Sequence, residues 1–152
     1  MVDADVVAVK LAEVADRLER VRLRCPNDAE AMATDRDALE LVSFNLILAI
    51  QAALDIASHV IADEGWPAAA TLAESFVRLH EHHVISAETL AGIRPAARLR
   101  NILTHMYSGV DPAKVHLAAT RGLVELERFA EEVSAWVRER SSGGEEPSHA
   151  KA

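Results

Sequence analysis

Residues 34–62 contain neither proline nor glycine. They carry apolar side chains at Leu39, Leu41, Val42, Phe44, Leu46, Ile47, Leu48, Ile50, Leu54, Ile56, Val60 and Ile61. These positions cover more than one face of a helix. A helix so apolar either lies at the centre of a bundle or is covered by a second subunit. In a chain of 152 residues the second subunit is the favoured reading. Thr34 is the expected N-cap, with Asp35 and Asp37 in the first turn, where the helix dipole favours acid. The longest unbroken apolar run, residues 46–50, is too short to span a bilayer.

The rest of the chain reads as helices divided by turn signals. Val7, Leu11, Val14, Leu18 and Val21 recur in steps of four and three, which makes one apolar stripe over residues 3–24, ended by Pro26-Asn27-Asp28. Gly65-Trp66-Pro67 breaks the chain before a short helix over 69–82. Ser86 caps a segment over 87–91. Gly92 and Pro95 interrupt it, and Pro95 opens a new helix that runs to Tyr107. Asp111-Pro112 is a cap followed by a first-turn proline. It starts a last helix whose stripe is Val115, Ala119, Leu123, Leu126, Phe129, Val133 and Trp136. Strand-like alternation is missing, and aromatics make up only 4% of the chain. The expected fold is all-α, an up-down antiparallel bundle of four main helices plus a short fifth. It occupies residues 1–140, with a flexible tail over 141–152.

The formal net charge of -8 argues against bulk electrostatic binding of nucleic acid or of an anionic membrane; such contact needs a local basic patch. Cys25 is the only cysteine, so no internal disulfide or cysteine zinc site forms. The acidic opening Met1-Val2-Asp3-Ala4-Asp5 does not read as a signal peptide. A cytoplasmic location is expected, and no cofactor or metal.

The chemically informative segment is Arg98-Leu99-Arg100-Asn101-Ile102-Leu103-Thr104-His105-Met106-Tyr107. On a wheel of about 100° per residue, Thr104 and Tyr107 fall within roughly 40° of Arg100. Asn101 and His105 form a neighbouring row, and Ile102, Leu103 and Met106 make an aliphatic face. One side of this helix therefore presents a guanidinium, an amide, an imidazole and a phenol. No acidic residue lies between Glu88 and Asp111, whereas Arg94, Arg98 and Arg100 are all basic. In so acidic a chain this is a local positive island, the place to seat a phosphate. Wheel geometry alone does not separate such a site from the polar face of an ordinary amphipathic helix.

Arg100-Asn101-x-x-x-His105-x-Tyr107 resembles the Arg-x4-His-x-Tyr signature of HepT-like toxins of the HEPN superfamily. Residues 49–59 (Ala-Ile-Gln-Ala-Ala-Leu-Asp-Ile-Ala-Ser-His) and Val110-Asp111 are similar to the family as well. The resemblance spans about residues 3–137. One departure is Leu99, where an aromatic is expected, with packing more than chemistry at stake. The resemblance implies a toxin that cleaves RNA, tRNA or mRNA, by metal-independent transesterification. His105 would be general base or acid, Arg100 would stabilise the phosphorane, and Asn101 would orient the imidazole or donate to a phosphate oxygen. Arg94 and Arg98 would bind the RNA backbone. The resemblance further implies a homodimer with composite sites, and a small nucleotidyltransferase antitoxin that adds AMP to Tyr107. The alternative is a non-catalytic dimeric bundle that binds, or is modified by, that nucleotidyltransferase.

Gln51, Asp55 and His59 follow at four-residue spacing on the apolar helix. They read either as support for the site and polar contacts across a dimer, or as a satisfied network that fixes helix register. His80, His82 and His83 invite a metal, but a solvated, dipole-stabilised helix end is the preferred reading. His116 reads as a surface residue.

Overall fold

The structure is a computed structural model that describes residues 2–105 and 109–143. Among these residues every regular element is a helix. Helix α1 (Ala4–Arg24) starts at Asp3, whose carboxylate accepts from the backbone N–H groups of Asp5 and Val6. It buries Val7, Val14, Leu18 and Val21 along α3. Helix α2 (Ala29–Thr34) was not expected. Asp28 ends the turn and also caps the next helix, accepting from Ala31 N at 2.7 Å. A six-residue helix with Met32 as its one buried side chain has no periodicity to betray it.

This helix moves the start of α3 (Arg36–Asp63). Thr34, expected as the N-cap, is the last residue of α2, and its hydroxyl donates to the carbonyls of Glu30 and Ala31. The cap is Asp35, which accepts from Ala38 N at 3.0 Å. Helix α3 is in contact with every other helix of the bundle. It buries Leu46, Ile50, Leu54, Ile56, Val60 and Ile61 among others. The preference for a second subunit as its cover is therefore corrected, because the chain itself surrounds most of α3. Of its large apolar side chains, Leu41 and Phe44 remain exposed. By length and composition α3 is able to cross a membrane; here it is the central strut of a bundle.

Helix α4 (Leu72–Glu81) opens with a reciprocal cap between Thr71 and Glu74. Its Phe76 meets Phe129 edge-on in the core, with ring centroids 5.5 Å apart. Helix α5 (Ala87–His105) runs unbroken through Gly92 and Pro95, against the expected interruption. Gly92 serves packing, not breaking. A Cβ there would overlap the Glu125 side chain, so glycine lets Glu125 of α7 lie directly against the α5 backbone. Pro95 forfeits one helical hydrogen bond, and the buried Ile93, Ala97 and Leu103 hold the two halves on one core face. The start of α5 is tied to the end of the chain by the Glu132 carboxylate, which accepts from Ser86 N at 3.1 Å.

The last helix starts as expected, with Asp111 as cap and Pro112 in its first turn. It comprises α6 (Pro112–Leu117), a π-helical turn over Ala118–Gly122 and α7 (Leu123–Ser142). Ion pairs Arg22–Glu127, Arg128–Glu88 and Arg140–Glu64 link α7 to α1, α5 and the end of α3.

Candidate functional site

The polar face of α5 is built from two rows. Arg94, Arg98, Asn101 and His105 follow in steps of four, three and four, which keeps them within about 60° of one another along about 16 Å of helix. All four are exposed. Arg100 occupies the flank that turns toward α3, and the exposed Thr104 one turn on donates its hydroxyl to the Arg100 carbonyl at 2.7 Å. The motif's fourth member, Tyr107, lies outside the described residues.

Arg100 is half-buried and held in place. Its Nε donates to Gln51 Oε1 at 3.1 Å and its Nη1 to Asn101 Oδ1 at 3.3 Å. The Gln51 amide donates in turn from Nε2 to Asp55 Oδ1 at 2.9 Å. A guanidinium only donates and a carboxylate only accepts, so the amide between them has a single workable orientation. Beyond Asp55 stands Lys10 of α1, whose Nζ donates to Asp55 Oδ2 and to Glu13 Oε2, both at 3.3 Å. The hydrogen bond to Asp55, and next that to Glu13, raises the Lys10 pKa against a small opposing effect of burial.

The structure thus joins two of the three residues of the α3 polar stripe to the motif arginine. His59 does not take part: its Nε2 lies 3.1 Å from Asp63 Oδ2 at the far end of α3. Lys10 was missed in the sequence. A lone lysine on the polar face of an amphipathic helix carries no signal of a partner 45 residues away.

Carboxylate pairing divides the arginines of the described residues. Arg20, Arg22, Arg36, Arg78, Arg128 and Arg140 each pair with a carboxylate, while Arg17, Arg24, Arg121 and Arg138, scattered over other elements, do not. Among the described residues, Arg94, Arg98 and Arg100 meet none, and the side chains of Arg94 and Arg98 make no hydrogen bond either. A cleft of about 430 Å³ runs beside Arg94, Arg98 and Asn101, with Thr71 and Leu72 of the α4 start on its other wall. A second cleft, of about 410 Å³, is lined largely by apolar side chains of α3, α5 and the last helix, including Leu46 and Ile50 of α3, Leu117 of α6 and Leu126 of α7. Leu99 lines it, which places the departure from the expected aromatic in packing and away from the polar row.

Of the described histidines outside α5, all but the exposed His83, which sits at a positive φ of 61°, have structural partners. His80 Nδ1 lies 3.1 Å from the Ile85 carbonyl, and the His82 ring stacks on Trp66 at 3.8 Å. His116, expected at the surface, is half-buried with Nε2 3.0 Å from the Pro26 carbonyl. Among the described residues no cluster of histidine, cysteine and acidic side chains is arranged to hold a metal.

Comparison with known proteins gives the family and the fold. The family model described as Ribonuclease HepT-like matches residues 13–133. The tRNA nuclease HepT of Aphanizomenon flos-aquae (strain 2012/KM1/D3) is 27% identical over 99 residues, covering 64% of this chain and 67% of that protein. A chain from the crystal structure of a toxin–antitoxin with AMP-PNP superposes with a TM-score of 0.79 at 21% identity, over 86% of this chain and 98% of that one. A chain from the structure of the tri-AMPylated Shewanella oneidensis HEPN toxin in complex with MNT antitoxin gives a TM-score of 0.79 at 22% identity, over 88% and 99%. Both likenesses are of fold.

Proposed function

Because the chain belongs to the HepT-like ribonuclease family, we propose that it is a toxin that cleaves RNA at the polar face of α5 and is silenced by a nucleotidyltransferase antitoxin. The observation that carries this reading is the row itself: Arg100 seated by α3, exposed Asn101 and His105 beside it, and arginines with no carboxylate to satisfy them.

The chemistry follows from these groups. The ribose 2'-oxygen attacks the adjacent phosphorus and the 5'-oxygen leaves, giving a 2',3'-cyclic phosphate. His105 takes the 2'-OH proton or supplies one to the leaving oxygen, a task suited to an imidazole, whose two ring nitrogens can accept and donate. Arg100 donates to the non-bridging oxygens as charge grows on the phosphorane. Asn101 orients the imidazole or adds a donor to the phosphate. The nucleophile belongs to the substrate and the acid–base group to the protein, so the reaction needs no metal-bound water. Arg94 and Arg98 hold flanking phosphates along the cleft. The substrate class is tRNA or mRNA, with tRNA favoured by the name of the cyanobacterial relative.

A homodimer brings two α5 faces together into composite sites. The antitoxin is a minimal nucleotidyltransferase that transfers AMP from ATP to the Tyr107 hydroxyl, the tyrosine oxygen bonding the α-phosphorus as pyrophosphate leaves and the hydroxyl proton is lost. The AMPylated toxin from Shewanella oneidensis supports this reading. Phosphates added at Tyr107 would oppose RNA through like charge and bulk beside the basic row.

The test is incubation of the purified protein with bulk tRNA and with mRNA in excess EDTA, beside His105→Ala. Cleavage by wild type alone, leaving cyclic phosphate ends, is the expected result. Intact RNA with a protein of unmodified mass would favour a non-catalytic partner of the nucleotidyltransferase. Intact RNA with a protein heavier by AMP units would mean that the preparation was already silenced.

A further inference from the structure

The row Lys10–Asp55–Gln51–Arg100 has more in it than a set of pairings. Arg100 meets an amide, not a carboxylate. A carboxylate would hold the guanidinium as well, but it would compete with any phosphate for the same charge. A neutral amide fixes direction and leaves the charge available. That arrangement is safe only if Asp55, one helical turn further on, does not reach over to the guanidinium itself. Lys10 prevents this by engaging Asp55 Oδ2 while Gln51 engages Oδ1.

The geometry also selects which edge of Arg100 faces outward. Nε is taken by Gln51, so the fork formed by Nε and Nη2 is closed to a ligand. The Nη1/Nη2 edge is what remains for gripping two phosphate oxygens, with one Nη1 hydrogen shared with Asn101.

We propose that Lys10 is a positioning residue for Arg100: it neutralises Asp55 so that Gln51 holds the guanidinium edge-outward and still fully charged. The inference rests on the role given to Arg100 above, yet its first test is independent of cleavage. In ¹⁵N-labelled protein the Arg100 Nε–Hε signal, assigned by its loss in Arg100→Lys, reports the Gln51 bond directly. Lys10→Met is expected to shift that signal and to speed its hydrogen exchange at least several-fold, leaving the Nε–Hε signals of Arg94 and Arg98 in place. Lys10→Arg is expected to restore it. Gln51→Leu removes the bond with Lys10 intact and serves as the reference for a released guanidinium, should Lys10→Met fold poorly.

In the cleavage assay Lys10→Met is expected to lower kcat on the order of 10-fold to 100-fold with KM little changed. Gln51→Glu is expected to keep Arg100 ordered and still lose activity, because it sets a carboxylate on the guanidinium. An Arg100 signal unaltered in Lys10→Met, or altered equally in Lys10→Arg, would overturn the proposal. So would full activity in Gln51→Glu. A wild-type protein of unmodified mass that leaves RNA intact while the signal responds as expected would sink the nuclease reading and leave the positioning intact.

Discussion

Helices α5 and α7 are nearly equal in length, and each presents arginines on a polar face over an apolar one. Most of their arginines have opposite fates, Arg138 of α7 alone lacking a carboxylate on that helix. On α7, Arg128 is bound to Glu88 and Glu125, while Arg140 is bound to Glu64 and lies over the Trp136 ring at 4.6 Å. On α5, Arg94 and Arg98 meet nothing among the described residues, and Arg100 meets two amide oxygens. A cation neutralised by its own chain ties helices together. A cation left without a carboxylate keeps its charge for an anion from elsewhere. The same residue type thus divides by its neighbours into cations that are neutralised and cations that are not, and three of the latter share α5.

The largest expected effect lies on α5. His105→Ala should lower cleavage by about 10²–10⁴-fold with thermal stability unchanged, since its side chain is exposed and makes no bond within the described residues. Kinetics and a melting curve on the same preparation check both halves, and a matching loss of stability would break the division. Phe129→Ala on α7 should do the reverse. It empties a fully buried site against Phe76 and should cost about 3–5 kcal/mol in denaturant unfolding, while whatever protein remains folded cleaves normally.

Charge removal sharpens the contrast. Arg94→Gln with Arg98→Gln should weaken RNA binding and reduce the slope of log affinity against log salt by about 0.7 for each phosphate no longer neutralised, without moving the melting temperature. Arg128→Gln should leave RNA binding alone and change stability by about 1 kcal/mol or less, as exposed pairs do. Equal effects of the two sets on the salt slope would show that the basic row is no more than surface charge.

The smallest effect concerns Glu132, through which α7 holds the start of α5. Burial, the largest single influence, pushes its pKa up, but hydrogen bonds from Ser86 and Thr89 and the charge of Arg128 together hold it below the ordinary glutamate value. A lowered folded-state pKa gives stability that is present above the unfolded value of about 4.5. It is lost as pH falls through the folded one. Glu132→Gln should therefore destabilise slightly at neutral pH and flatten the acid side of the stability profile. An unchanged acid limb would mean that this carboxylate contributes nothing.

The sequence carries the long elements and the motif row because both are local. The stripe of α1, the Asp111-Pro112 start of the last helix and the positive island around Arg98 are all patterns within a few turns of chain. What escaped it is set by neighbours distant in sequence. Gly92 and Pro95 look like breakers until Glu125 is seen against Gly92. Thr34 looks like a cap until the short α2 is found to end on it. The π-helical turn over Ala118–Gly122 has no proline or other local mark to announce it. Gln51 and Asp55 were visible as a stripe, with support of the site and a register-fixing network both open. The bond to Arg100 favours the first, and neither residue is fully buried.

The seating of Arg100 also has a timetable. Gln51 and Asp55 sit one turn apart on one helix, so their bond can form as soon as α3 does. Lys10 precedes both in the chain and is already made by then. Arg100 is 49 residues beyond Gln51 and Lys10 is 45 before Asp55, and pairings of such separation close late. The bond within α3 is thus the local seed of the row, and the two cations reach it from opposite ends of the chain only as α1 and α5 pack on α3.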